Sequence, residues 1–356
     1  MSVKSPMIRL APVNFEDLPN HPTFGSSGSN GNNRPDLLRF ALTLLDQGRS
    51  LVEPTQFNLT FKSHSWKPSP PSNNEVEILS TTIPTCDLEK LPWSSDATPR
   101  PKPSKLEDEH WYARRSYHAN HPSKNNAPGT ASFEEFVYGL RDNHSKHEYD
   151  FTPSIYDARL ICEWNEELRQ QLSDSNSASP DQPNYINTTI SIYEMAHKLP
   201  TPLSPRCFPV LVVTASVSQD EFIAVTLPVD ITRCPSAFYS TGRNRSEGLD
   251  AQMRKPVTVG SYCAVERVVK YTKSTTHTDK EGRVHSHEDG GGGGGEEIEW
   301  IMATASHAGG NVPVALQRMG IPGGIAKDVG LFLKWIHGVS DEEVRGQGVG
   351  CSTARP

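Results

Sequence analysis

The hydrophobic residues of this chain change their spacing twice. In PDLLRFALTLLDQGRSL (35–51), Leu38, Leu42 and Leu45 recur at helical intervals behind Pro35, which suits a first turn. EVEILSTTI (75–83), HWYARRSYHAN (110–120) and SIYDARLICEW (154–164) read as strands. Between the last two, SFEEFVYGLRDNH sets Phe133, Phe136, Val137 and Leu140 on one helical face behind a capping box, Ser132 and Glu135. From residue 185 the pattern becomes strand after strand, over 185–199, 208–217, 221–231, 257–272 and 296–308. Mostly short connections favour an antiparallel meander over β-α-β units. The last patterned segment, NVPVALQRMGIPGGIAKDVGLFLKWIHGV, predicts an amphipathic helix. Val314, Ile325, Val329, Phe332, Leu333 and Ile336 form its apolar side, and Lys327, Asp328 and Lys334 its wet side. Pro322 and the Gly323-Gly324 pair are expected to kink or interrupt it. A sheet curled round one long terminal helix is the economical packing for this order, an α+β fold.

The remaining segments are polar. Residues 1–34 and 339–356 are expected to be flexible, and 35–338 to form one domain with disordered loops near 84–109, 173–183, 232–256 and 273–296. The last loop ends in six consecutive glycines, 290–295. Only 35% of the 356 residues are hydrophobic, and 29 prolines and 26 glycines dilute the core with loop sequence. A net charge of -7 without a basic stripe excludes a general nucleic-acid binder. The six cysteines include no CxxC pair, so zinc is not expected. The absence of an apolar leader and of any 18-residue apolar run predicts a cytoplasmic protein with reduced thiols, and a monomer. The four Asn-X-Ser/Thr sequons are then chance matches. No GxSxG, P-loop, GxGxxG or HExxH segment occurs, so neither a catalytic residue nor a cofactor is assigned.

Several residues carry candidate chemistry. Arg206 follows a Pro-x-x-Pro turn and opens an apolar strand, so it sits at a rim; there it either fixes the turn through an ion pair or bonds a polar ligand group. Tyr193, Glu194 and Glu266 lie in strands and face either an interior or solvent. His144 and His147, spaced i and i+3 near a helix end, read as a solvated helix end rather than a metal site. His285 and His287 fall in the glycine-rich loop, which cannot preorganise a metal. Cys162, Cys263, Trp111, Trp164, Trp300 and Trp335 read as core.

KLPTPLSPRCFPVLV (198–212) resembles the MPxPxSxRDFV segment of the START (StAR-related lipid transfer) family, and SHAGGNVPVALQRMGIPGGIAKDVGLFLKWI (306–336) is similar to its DxGGxIPxxLxN motif and the helix after it. WYARRSYH and ASFEEFVYGLRDNHSKHEYDF resemble a START-like family of fungi, and the likeness spans roughly 110–338. Cys207 stands where the family usually has Asp, and Ser306 replaces the Asp before the glycine pair. The resemblance implies a helix-grip fold whose curved sheet and C-terminal helix enclose a cavity for a sterol, phospholipid or similar lipid, with transient membrane contact. It implies Tyr193, Glu194, Arg206, Glu266 and Met302 on the ligand, Val329, Phe332, Leu333 and Ile336 as its roof, and Gly320, Pro322, Gly323 and Gly324 as hinges. The same fold serves polyketide cyclases, so an enzyme, or a scaffold whose cavity has filled in, stays open.

Overall fold

The computed structural model describes residues 8–24, 34–88, 107–123, 128–174, 185–272, 276–278, 284–286, 295–310 and 312–346. The chain begins with α1 (Leu37–Val52) and α2 (Pro54–Thr60), a hairpin of β1 (Lys62–Lys67) and β2 (Val76–Ile83), α3 (Thr85–Leu88) and β3 (Glu109–Ala119). Helix α4 (Phe133–Phe136) runs into a π-helical turn (Val137–Arg141), followed by α5 (His144–Phe151), β4 (Ile155–Glu163) and α6 (Asn165–Asp174). Next come β5 (Ile186–His197), β6 (Arg206–Ser218), β7 (Glu221–Pro228), α7 (Asn244–Glu247), β8 (Thr258–Val259) and β9 (Ser261–Thr272). The small pair β10 (Thr276–Thr278) and β11 (Val284–Ser286) precedes β12 (Glu296–His307), α8 (Val314–Ile336) and α9 (Asp341–Gly346).

The main sheet has ten strands in the order β1-β2-β3-β12-β9-β7-β6-β5-β4, every pair along that path antiparallel, with β8 beside β6 in parallel. The expected meander is present, and the segment read as one strand over 257–272 breaks at Gly260, where a Cβ would lie 2.4 Å from the Phe208 ring. Alternation along each strand gives the sheet two faces of different packing. On the outer face, Ile190 and Ile192, Leu211 and Val213, Ile223 and Val225, Cys263 and Val265, and Ile301 and Ala303 join one continuous core with α1. Helix α1 turns Leu37, Ala41, Leu44 and Gly48 inward and leaves Leu38 and Leu42 half-buried, one position away from the stripe read in the sequence. On the inner face, α8 lies over the β2-β3-β12 side: Val329, Phe332, Leu333 and Ile336 are fully buried against Phe136, Trp300 and Ile298. The architecture is α+β, a long antiparallel sheet gripping its C-terminal helix, as the START-like resemblance implied.

Four expectations are corrected. Helix α8 is continuous through Pro322 and both glycines rather than interrupted; the ring falls within the first half, where the missing N–H costs a single bond. Residues 8–24, expected to be flexible, pack on the outer face: Phe15, Leu18 and Phe24 are buried and Val13 bridges to Val229. Arg34 ties them down by donating to the carbonyls of Phe15 and Leu18. The 232–256 connection, expected to be disordered, is folded around buried Cys234, Phe238, Tyr239 and Asn244, the last donating to the carbonyls of Met253 and Lys255. In the tail, Val339 is buried and α9 comes after it. Most of the 84–109, 173–183 and 273–296 loops, including glycines 290–294 and His287, and residues 347–356 lie outside the described residues.

The helix is pinned at one point. Ser69 Oγ, from the β1–β2 connection, donates to the Ala326 carbonyl at 2.6 Å and accepts from the Gly330 N–H at 2.8 Å. An ordinary α-helix bonds those two groups to each other; here the hydroxyl bridges them. The approach requires glycine, because a Cβ at 330 would stand 2.2 Å from the Pro70 carbonyl oxygen. Gly330→Ala is expected to lower stability by about 1–3 kcal/mol, as overpacking does. Gly324→Ala, where a Cβ meets nothing within 4 Å, is expected to hold or raise the melting temperature. Thermal melts of the two variants check the contrast.

Candidate functional site

The register sets one cross-strand row on the inner face: Ile78 beside Arg114, Arg114 beside Met302, Met302 beside Glu266, Glu266 beside Ala224. Two charged residues thus enter the interior of the sheet on either side of Met302. Arg114 is 1% exposed and lies flat over Trp300, its guanidinium carbon 3.7 Å from the ring centroid. Its Nη2 is 3.8 Å from Glu266 Oε1, and the Trp300 indole N–H donates to Glu266 Oε2 at 3.1 Å. The Nε and Nη1 donors of Arg114 have no hydrogen-bond partner. Among the described residues few buried charged groups are left so open, and such donors are costly to bury unmet.

Two helices add further charge. Asp328, read in the sequence as the wet side of α8, is turned inward: burial pushes its carboxyl up to about 6, against the pull of Arg114. Glu148 of α5 is pushed up to about 7, again by burial, with His144 opposing and Glu266 and Asp328 assisting. Burial also holds the Tyr262 phenol well above its ordinary range, and the three carboxylates reinforce that. Glu148, Tyr262, Glu266 and Asp328 nevertheless all keep some accessible surface. Each of the four is thus partly enclosed by protein and partly accessible.

Apolar residues of the inner face lie on either side of these groups. They form two separate clusters, one under α8 with Phe136, Trp300 and Phe332, the other on β4–β6 with Ile155, Tyr193, Met195, Val210 and Val212, flanked by half-buried Phe208 and Tyr262. The outer face divides too, into the large core under α1 and a small cluster of Ala196, Cys207, Phe238 and Tyr239 at the folded 232–256 loop. His197, beside Phe208 at 5.1 Å, is pushed down to about 4 by burial and stays neutral.

The sequence candidates divide accordingly. Glu266, Met302 and Tyr193 lie on the inner face. Glu194 does not: it shares the parity of Ile190 and Ile192, and its carboxylate accepts from the backbone N–H groups of Phe238, Tyr239 and Ser240. It is the anchor of the folded 232–256 loop. Arg206 is buried, not at a wet rim, and forms no carboxylate pair among the described residues; it donates to the carbonyls of Ala308 and Ser204, tying the turn before β6 to the segment before α8. Gly309 in that segment has φ 65°, and a Cβ there would stand 2.2 Å from the Val259 carbonyl oxygen. Val329, Phe332, Leu333 and Ile336 have no exposed surface and seat the helix on the sheet. Gly320, Gly323 and Gly324 are exposed and free of neighbours within 4 Å, and Pro322 lies between them. His147 stacks on Tyr138 at 4.5 Å and bonds its carbonyl, and among the described residues no group of three His, Cys, Asp or Glu is placed to hold a metal ion. No helix among them is long and apolar enough to cross a membrane. Arg114, Glu148, Tyr262 and Asp328 were not singled out by the sequence as site residues.

Solved structures with similar folds include human StAR-related lipid transfer protein 5, with TM-score 0.43, 9% identity, and 84% of this chain and 95% of that one covered. Human STARD10 gives 0.41, 12%, 88% and 84%, and the lipid transfer and protein localization domain of human StarD13 (DLC2) gives 0.37, 11%, 80% and 96%. No curated protein matches the chain. Residues 111–336 match the family described as "Protein of unknown function (DUF3074)".

Glu194→Gln is expected to leave at least one backbone N–H without its charged acceptor and to lower stability by roughly 1–3 kcal/mol, read by urea unfolding. Glu148 and Asp328 favour their protonated forms when folded, so their stabilising contribution is full near pH 4 and is lost as pH rises through about 6 and about 7. Glu148→Gln and Asp328→Asn should flatten the fall in melting temperature between pH 5 and pH 8, a change on the order of 2 kcal/mol per acid.

Proposed function

The chain belongs to the DUF3074 family, and within that family we propose that it binds a hydrophobic small molecule, a sterol, phospholipid or similar lipid, in the recess between sheet and α8. One observation carries the reading: the inner apolar surface is split into two clusters, and the polar side chains Glu148, Tyr262, Glu266 and Asp328 that lie with it keep some accessible surface. Contacts forfeited across such a gap are recovered when an apolar chain fills it. Burying a lipid tail gains about 0.8 kcal/mol per methylene. The sequence resemblance of 198–212 and 306–336 to the lipid-transfer family points the same way.

Entry and release use the first half of α8. The bridge at Ser69 and the buried residues from Ile325 to Ile336 hold the second half. The first half carries exposed Met319, Gly320, Gly323 and Gly324, and Pro322 cannot donate to the carbonyl one turn earlier. Gly320, Pro322, Gly323 and Gly324 are thus the hinge, and reversible opening there serves transfer or sensing of the ligand in the cytoplasm. A second reading, a cyclase-like enzyme, is favoured by Glu148: a carboxyl held at about 7 beside Tyr262 suits proton transfer.

Native mass spectrometry of the full chain purified without detergent, followed by solvent extraction, tests the binding. A bound hydrophobic molecule is expected; bare protein that also fails to take up an apolar fluorescent probe would overturn it. With Gly323→Ala and Gly324→Ala combined, probe exchange should slow several-fold, and an unchanged rate removes the hinge. Turnover of a poly-β-keto substrate, abolished by Glu148→Gln, would favour the enzyme.

A further inference from the structure

The recess has a polar end whose composition is uneven. Four elements converge on it: β3 supplies Arg114, β9 supplies Tyr262 and Glu266, α5 supplies Glu148 with His144 nearby, and α8 supplies Asp328 with exposed Lys327 beside it. Three carboxyl groups therefore meet one fully buried guanidinium. That guanidinium does not neutralise them well, since its nearest carboxylate contact is 3.8 Å and no hydrogen bond joins the pair. It is instead held by stacking on Trp300, with Nε and Nη1 unmet. The carboxyls do not converge on a metal-sized point either.

We infer that this end recognises the head of an amphiphile carrying a protonated amine next to an oxygen acceptor, as in a long-chain 2-amino alcohol. The inference rests on the reading of the recess as a hydrophobic ligand site. The ammonium supplies the cation that Glu148, Glu266 and Asp328 lack, and the neighbouring oxygen accepts from the open donors of Arg114. A plain alcohol meets Arg114 but leaves the carboxyls unneutralised. A carboxylate head meets Arg114 and is repelled by three acids. The tail extends toward the apolar cluster of Tyr193, Met195, Val210 and Val212 on the same face. Burial holds Glu148 and Asp328 above the usual carboxyl range, so both carry protons in the acid range. Binding of the amine displaces those protons.

The experiment compares four heads on one ten-carbon tail: 2-aminodecan-1-ol, decylamine, decan-1-ol and decanoate, titrated calorimetrically into the full chain between pH 5 and pH 8. The amino alcohol is expected to bind tightest, about ten- to a hundred-fold better than decan-1-ol, the factor that a charge-assisted hydrogen bond supplies. Its affinity should rise with pH as the acids ionise, with protons released in buffers of differing ionisation heat; decan-1-ol should show neither effect. Glu148→Gln and Asp328→Asn should each erase much of the amine preference, read as the ratio of amino-alcohol to decan-1-ol affinity in the same variant. Arg114→Met should remove the advantage of the amino alcohol over decylamine; if that variant does not fold, the two acid variants decide. Equal affinity for amine and alcohol, or tighter binding of decanoate, overturns this inference and leaves the hydrophobic site standing. Binding of none of the four overturns both.

Discussion

A sheet of ten strands must cover two faces, and this chain covers them unequally. The outer face receives α1, the segment 8–24 and the folded 232–256 loop, over one large core and one small cluster. The inner face receives one long helix and two short ones, which cannot reach across it, so its apolar residues stay in two groups. Everything distinctive about the interior stems from that shortfall. Polar side chains enter there beside the apolar ones, and the charged row of Arg114 and Glu266 is steadied by Trp300, which stacks under the guanidinium and donates to the carboxylate.

The split also explains why the polar groups sit where they do. Arg114 is flat against Trp300, which itself is wedged between Phe136 and Phe332 at 5.5 and 5.3 Å. The charged end is therefore built on the best-packed part of the inner face, and its geometry is supported from below by aromatic contacts. Glu194 and Arg206 use their charge differently. Each holds backbone, one gathering three N–H groups and the other binding carbonyls, so each shapes a loop next to the sheet rather than the space within it.

Much of the fold was legible in the sequence because strand alternation and helical spacing are local. The strands over 110–120, 154–164 and 208–217 recur within a few residues of their expected limits, and the Ser132–Glu135 capping box forms with both of its bonds. The helix behind that box was less legible. Its single α-helical turn widens into a π-helix, where Gly139 lets Phe332 and Trp335 approach, a tertiary requirement with no local mark. The site was half legible. Strand parity says that Glu194 and Tyr193 face opposite ways, but not which way is inward, and that depends on the register with β6. Asp328 sits between Lys327 and Val329 and scans as surface; only the placement of α8 over Arg114 turns it inward. In the same way, the burial of β3 changes phase within the strand, from Trp111 and Ala113 on one face to Arg114, Ser116 and His118 on the other, so no single alternation marks Arg114 as inward.

The Ser69 hydroxyl joins the last helix to the outermost hairpin of the sheet, not to its centre. The order of β1–β2 and the order of α8 are in consequence a single equilibrium. Fraying of that edge, where Trp66 is half exposed, removes the only side-chain bridge described between hairpin and helix backbone and frees the helix at its midpoint. Whatever stiffens the edge strand also tightens its far neighbour, so a surface remote from the interior sets how firmly the last helix is seated over it.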